Sequence, residues 1–297
     1  TIVHTSGKAE GQIYIPEVNT FIMVACLTLV VLFRESTKLA AAYGIAVTGT
    51  MTITSILFFQ VTRQWAWPLW KSIALVGLFL SFDLSFLSAN VIKVLDGGWI
   101  PLVIAAVVFS GLTTWKKGRA ILGRHILANT LPMQLFMDDI KLTKPHRVKG
   151  TAVFMTSNPD GASPVLLHHF KHNKVLHEQV ILLSITTQHV PEVRDAERIE
   201  IKELGEGFWQ VLAHYGFMET PDVLDVLALS RVKGLVAQTH DTSFYLGRET
   251  LLTTGRTGMA HWRKTLFAFL SRNARPANMF FNIPPNRVVE LGTQIEL

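Results

Sequence analysis

The sequence predicts an α-helical membrane region followed by a soluble α/β or α+β domain. Four long apolar segments fall within the first 115 of its 297 residues. Charge gathers after them: residues 1–115 hold six Lys or Arg and five Asp or Glu, whereas residues 116–297 hold 22 and 17, with ten of the eleven histidines. Beyond about residue 148, β-branched runs alternate with amphipathic segments, as they do where helices cover a central sheet. A mean hydropathy of +0.31 fits a chain divided between two solvents.

The apolar segments occupy 16–33, about 43–62, about 72–91 and 99–115. Each is close to the ~20 residues that cross a hydrocarbon core about 30 Å thick. Trp65, Trp67 and Trp70 lie between the second and third segments, and Trp99 and Trp115 bracket the fourth, as an interfacial belt would. Four buried helices of a soluble protein are the alternative. Four such runs joined by short loops argue against it. "KKGR" at 116–119 abuts the fourth segment and a large polar region follows, which puts that end in the cytoplasm. Counting back, the linker with Arg63 and Lys71 and the start with Lys8 are also cytoplasmic, while Arg34, Lys38 and Lys93 fall outside. The expected organisation is a transmembrane region over 1–118 and a cytoplasmic domain over 119–297, its core about 148–297.

The single cysteine, Cys26, sits in an apolar run, which excludes an internal disulfide and a multi-cysteine zinc site. The chain begins with Thr1, and its first apolar run lacks the charged flank and cleavage site of a signal peptide. It is expected to start part-way through a longer protein.

In the soluble part, 150–156 reads as a strand. The stretch 163–173 reads as a helix with Asn173 as its left-handed terminator. The β-branched run 178–186 is a buried strand and the aromatic run 207–217 another. Residues 220–234 form a helix with Thr220 as cap, Pro221 at the first helical position and Gly234 at the end. A strand over "TSFYLGRETL", an amphipathic helix over 260–274 and a short strand at "RVVEL" complete the alternation.

"AAAYGIAVTGTM", residues 40–51, is poor in bulk for a lipid-facing helix. Ala42, Ala46, Thr50 and Thr54 recur every fourth residue, and so do Gly44, Thr48 and Thr52. Small residues at that spacing let helix backbones approach closely. The second helix is therefore expected to be the best packed, with a hydroxyl-lined polar pathway as the alternative use of Gly44, Thr48, Thr50 and Thr52. Asp83 lies near the middle of the third segment, beside Ser81, Ser85, Ser88 and Asn90. A carboxylate at that depth costs at least about 2.5–3.5 kcal/mol and needs a partner, water or a proton. An interhelical bond is the favoured role, and cation or proton chemistry the alternative.

No G-x-x-x-x-G-K-[ST] loop and no G-x-S-x-G elbow occurs. "GEG" at 205–207 and "GRTG" at 255–258 are too short to mean dinucleotide binding. His168, His169, His172 and His177 cluster, and the spacing of His168 and His172 would suit zinc on a helix. With Lys171 and Lys174 beside them, a polar helix face is the better reading. The basic surface carries no aromatic-interleaved stripe, so nucleic acid is not an expected partner. No enzyme activity, cofactor or resident metal is expected.

"GQIYIPEVN", "AYGIAVTGTM", "LSANVIKVLDGGWIPL", "KHNKVLHE" and "IPPNRVVELGTQIEL" together resemble the Kup-type potassium uptake transporters (the KUP/HAK/KT family), in order along nearly the whole chain. The resemblance implies the last four transmembrane helices of a transporter of the amino-acid–polyamine–cation type, followed by its cytoplasmic domain and a genuine C-terminus. It implies low-affinity potassium–proton symport into the cell across the inner (plasma) membrane, with potassium ion and proton as cargo. The main ion site would lie in upstream helices of the same transporter, which become a partner beside membrane lipid and a second copy of the chain as homodimer. A membrane-tethered regulatory or ligand-sensing module is the alternative. In such folds the ion site sits at the repeat interface near the midplane, and the small-residue helix would be scaffold beside it.

Overall fold

The computed structural model describes residues 2–255, 258–274 and 280–297. Arg256 and Thr257 of the "GRTG" stretch lie outside the described residues. The chain divides into two compact units, residues 15–113 and residues 1–14 with 114–297.

The first unit is helical. Helix α1 (Pro16–Phe33) starts with proline at its first position, where the missing N–H is not needed, and ends where Arg34 turns left-handed (φ 52°). Helix α2 (Ser36–Gln64) and helix α3 (Leu69–Val91, extended by a 3-10 turn over Ile92–Val94) follow, then helix α4 (Trp99–Ala128). All four are long and apolar enough to cross a membrane. Helices α2, α3 and α4 outrun their apolar segments because helix formers such as Lys, Arg, Gln and Ala flank the runs. The "KKGR" stretch lies inside α4 rather than beyond its end.

Helices α2 and α3 make the principal contact of this unit. The buried positions of α2 are Ala41, Ile45, Thr48, Ser55 and Thr62, and with the half-buried Thr52 and Phe59 they follow steps of four and three that form a coiled-coil-like seam. Their partners on α3 include Ser72, Val76, Asp83 and Asn90. Of the two small-residue rows, Gly44–Thr48–Thr52 lies at this seam, whereas Ala46, Thr50 and Thr54 are exposed. No residue of α1 is buried in the unit.

The second unit opens with a hairpin of β1 (Val3–His4) and β2 (Ile13–Tyr14). After α4 come β3 (Leu131–Pro132), α5 (Met133–Thr143), β4 (His146–Met155), β5 (Gly161–Ala162), α6 (Pro164–Asn173) and β6 (Val175–Gln188). The chain continues through α7 (Asp195–Arg198), β7 (Ile199–Gly205), β8 (Phe208–Gly216), α8 (Val223–Val232), β9 (Thr242–Leu252), α9 (His261–Arg272) and β10 (Val288–Glu296). Six strands make one sheet in the order β10-β9-β4-β6-β8-β7. Every pairing is parallel except β7 with β8. A parallel sheet needs cover on both faces, and two cores supply it. Val153, Ile181, Leu183, Val211 and Phe244 pack with Val223, Val226 and Leu227 of α8. Phe154, Val180, Leu182 and Phe208 pack with Phe136 and Ile140 of α5 and Leu166 of α6. The odd and even residues of β4 and β6 thus serve opposite faces, as the strand period of two requires.

Several helix ends differ from the sequence expectation. Asn173 is still helical and Lys174 takes the left-handed conformation (φ 55°), because the Asn173 amide instead contacts Nδ1 of His169 at 2.9 Å. Helix α8 is capped by Asp222, whose Oδ1 accepts the Leu224 N–H at 2.7 Å, so Thr220 and Pro221 precede the helix. Gly234 (φ 94°) follows its end. The last strand runs to Glu296 because it pairs with β9 along nine residues. Helices α5 and α7 and strand β7 were not anticipated.

The last turns of α4 carry the buried row Thr114, Gly118 and Leu122. Arg263 Nε of α9 donates to Thr114 Oγ1 at 2.9 Å, and Lys117 Nζ donates to the Gly258 carbonyl at 2.5 Å. A side chain at Gly118 would overlap the ring of Phe267, so the two helices meet only because this position is glycine.

Candidate functional site

The seam of α2 and α3 brings together Thr48, Thr52, Asp83 and Asn90, whereas Ser81, Ser85 and Ser88 are exposed and donate to carbonyls of their own helix. Asp83 is buried, and its Oδ2 accepts a hydrogen bond from Ser55 Oγ at 2.5 Å. Ser55 is buried too. It was not anticipated as a partner, although it falls on the four-and-three spacing of the seam. No ion pair reaches Asp83 among the described residues. A carboxylate in such surroundings is stable when hydroxyl donors, a cation or a proton satisfy it, and the serine hydroxyl supplies one such bond.

The threonine hydroxyls turn inward on their own helix. Thr48 Oγ1 donates to Gly44 O at 2.7 Å, Thr52 Oγ1 to Thr48 O at 2.9 Å and Thr50 Oγ1 to Ala46 O at 2.7 Å. Their donor capacity is used, while their lone pairs remain open. Gly44 makes room for Asn90 of α3: a Cβ there would overlap the Asn90 side-chain oxygen. Further along the seam, Thr62 and Ser72 are fully buried. Thr62 donates to Phe59 O at 2.7 Å, whereas Ser72 Oγ has no hydrogen-bond partner among the described residues. Thr50 stands apart, on the exposed face of α2.

The histidine cluster divides. The rings of His168 and His172 lie 4.5 Å apart on the outer side of α6, one half-buried and one exposed. His169 points the other way. It is 4 % exposed and sits against Tyr245 (4.8 Å) and Phe154 (5.6 Å), with the His177 ring 6.3 Å away. Nε2 of His169 and Nδ1 of His177 are buried without a hydrogen-bond partner among the described residues. Burial, reinforced by His177, lowers the His169 pKa below the usual imidazole value. Burial lowers that of His177, and Asp241 partly opposes it. The polar-face expectation therefore corrects to a split one, because the strand-facing side of α6 needs an apolar neutral ring at position 169. Among the described residues no group of three or more His, Cys, Asp or Glu could hold a metal ion.

Comparison with known proteins adds the family. Residues 1–120 match the K+ potassium transporter integral membrane domain, and residues 149–297 match the K+ potassium transporter C-terminal domain. The chain is 54 % identical over 297 residues to "Probable potassium transport system protein Kup 2" of Syntrophobacter fumaroxidans, covering 100 % of this chain and 46 % of that protein. It is 54 % identical over 303 residues to a "Probable potassium transport system protein Kup" of Anaeromyxobacter sp. (strain Fw109-5), with the same coverage. It is 52 % identical over 297 residues to the similarly named protein of Myxococcus xanthus, again covering 100 % and 46 %. The chain spans about half the length of the curated relatives it matches. Two domain matches in the same order as the two structural units, with about half the residues identical along the whole chain, have one reading: this chain belongs to the Kup-type potassium transporter family.

Proposed function

We propose that the chain takes part in potassium transport, as the C-terminal portion of a multi-pass potassium–proton symporter that carries the ion into the cell with low affinity. The observation that carries this reading is the identity, along the entire chain, with relatives named as potassium transport proteins. The membrane is the inner (plasma) membrane, and the sheet-containing unit faces the cytoplasm.

In this reading the four helices are scaffold rather than the main ion site. The largely exposed apolar surface of α1, in which no residue is buried, supports it, since that surface would be covered by lipid and by upstream helices of the same transporter. Asp83 and Ser55 clamp α2 to α3, and Gly44, Thr48 and Thr52 allow the close approach. A membrane-tethered sensing module is the rival. It gives no purpose to a buried carboxylate–serine pair, because a tether needs no such contact.

Rubidium uptake in cells stripped of their own potassium uptake systems tests the proposal. The chain alone is compared with the chain joined to the upstream helices of a relative. Uptake by the joined form only is expected. Uptake by the chain alone would place the ion path in these four helices. A joined form that inserts in the membrane yet carries no rubidium would favour the tether.

A further inference from the structure

The sheet-containing unit holds a crevice of about 520 Å3 that transport does not require. It lies where the parallel sheet changes direction. Strand β6 lies on one side of β4 and β9 on the other, so the chain leaves β4 one way and later returns on its opposite flank. Open α/β sheets take ligands outside the carboxyl ends of the strands at such a switch point. Met155 at the end of β4 and Ile185 near the end of β6 line the crevice, with Leu246, Val165 and Phe281 completing apolar walls.

The polar groups around it are mostly uncharged, amides and hydroxyls, with one imidazole and one carboxylate among the described residues. Asn129, Asn158 and Gln294 present amides, and Thr293 adds a hydroxyl. Asn129 Nδ2 already donates to the His125 carbonyl at 2.9 Å and Asn158 Oδ1 accepts the Asp160 N–H at 3.1 Å, which leaves a ligand the Asn129 oxygen, the Asn158 donors and the Gln294 amide. Among the described residues no lysine or arginine lines the crevice, where Glu249 contributes a carboxylate and His125 an imidazole. The N-terminus of α6 at its edge has little to offer an anion. Pro164 has no N–H, Ser163 Oγ accepts the Leu166 N–H at 3.2 Å, and the Leu167 N–H bonds Ser163 O. Among the described residues a phosphate there would meet the Glu249 carboxylate and no lysine or arginine.

We propose that this crevice binds an uncharged, ring-bearing molecule of nucleoside size, the flat ring lying against the apolar walls and its hydrogen-bonding edge met by the three amides. The volume falls within the ~300–1,000 Å3 of small-molecule pockets. The ligand also touches His125 and Asn129 at the end of α4, the helix whose first half is the fourth apolar segment, so occupancy bears directly on those last turns. The proposal stands on the sheet-containing unit alone and holds whichever way the transport experiment falls.

Calorimetric titration of the full chain, purified in detergent, tests it. The probes are adenosine, guanosine, cytidine and uridine, each beside its 5′-monophosphate. At least one nucleoside is expected to bind, with its monophosphate weaker by about tenfold, or roughly 1.4 kcal/mol. Thr293→Trp fills the crevice and is expected to abolish binding, and Gln294→Ala, at an exposed position, is expected to weaken it severalfold. Heat from none of the nucleosides overturns the proposal, as does a monophosphate that binds as tightly as its nucleoside. Wild-type affinity in a folded Thr293→Trp protein does the same. Should that variant fail to fold, unchanged affinity in Gln294→Ala is the overturning result.

Discussion

At the scale of residues, burial of ionisable groups sets how this protein answers pH. His169 and His177 have pKa values lowered by burial. In the unfolded chain both protonate near pH 6.5; in the folded chain they protonate only at lower pH. Between those values the unfolded state binds more protons, so stability falls as pH drops. The unfolding temperature of the purified chain is expected to decline below about pH 6.5, and His169→Phe should flatten that decline. An unchanged profile in the variant would remove His169 from the explanation. Glu219 behaves differently. Burial works against its charge, but the N–H groups of Gly216 and Val193 and the Arg198 guanidinium, 2.7 Å away, outweigh it. Glu219→Ala removes one acceptor from Arg198, which keeps Asp195 and the Val193 carbonyl, and unpairs the N–H groups of Gly216 and Val193. It is expected to lower stability by about 2 kcal/mol, measured by denaturant unfolding.

At the scale of elements, legibility depended on solvent. The central strands were plain because a parallel strand covered on both faces reads as a continuous apolar run: Val180, Ile181, Leu182 and Leu183 are all buried. Strand β7 was missed because "IEIKELG" is an edge strand with one exposed, charged face, and α5 because its eleven residues follow a proline-bearing turn. Within the membrane helices, hydropathy could not locate the seam. Lipid is as apolar as leucine, so Ile53 and Leu57 stay exposed while Thr48, Ser55 and Thr62 are buried. The four-and-three spacing of small and hydroxylated residues was the usable signal, and it would have named Ser55. The contact of α4 with α9 rests on Gly118 in the same way. Gly118→Ala gains helix propensity of up to about 1 kcal/mol but displaces Phe267, which is fully buried. Overpacking of this kind costs about 1–3 kcal/mol, so net destabilisation is expected, measured as a lower unfolding temperature.

At the scale of the whole molecule, the chain divides into a unit of apolar helices and a unit built on a covered parallel sheet with a crevice of its own. The family could be read from long motifs in the sequence, whereas the pairing of Asp83 with Ser55 needed the structure, because 28 residues separate them. The central claim is that this pair braces α2 against α3 beside the ion path rather than within it. The most direct measurement is rubidium uptake by the joined transporter carrying Asp83→Asn, with the amount of protein in the membrane measured alongside. A brace predicts an unchanged KM for rubidium and a maximal rate that falls only in proportion to the amount of protein. A KM raised about tenfold or more, or transport abolished at normal abundance, would place Asp83 on the ion path and contradict the account.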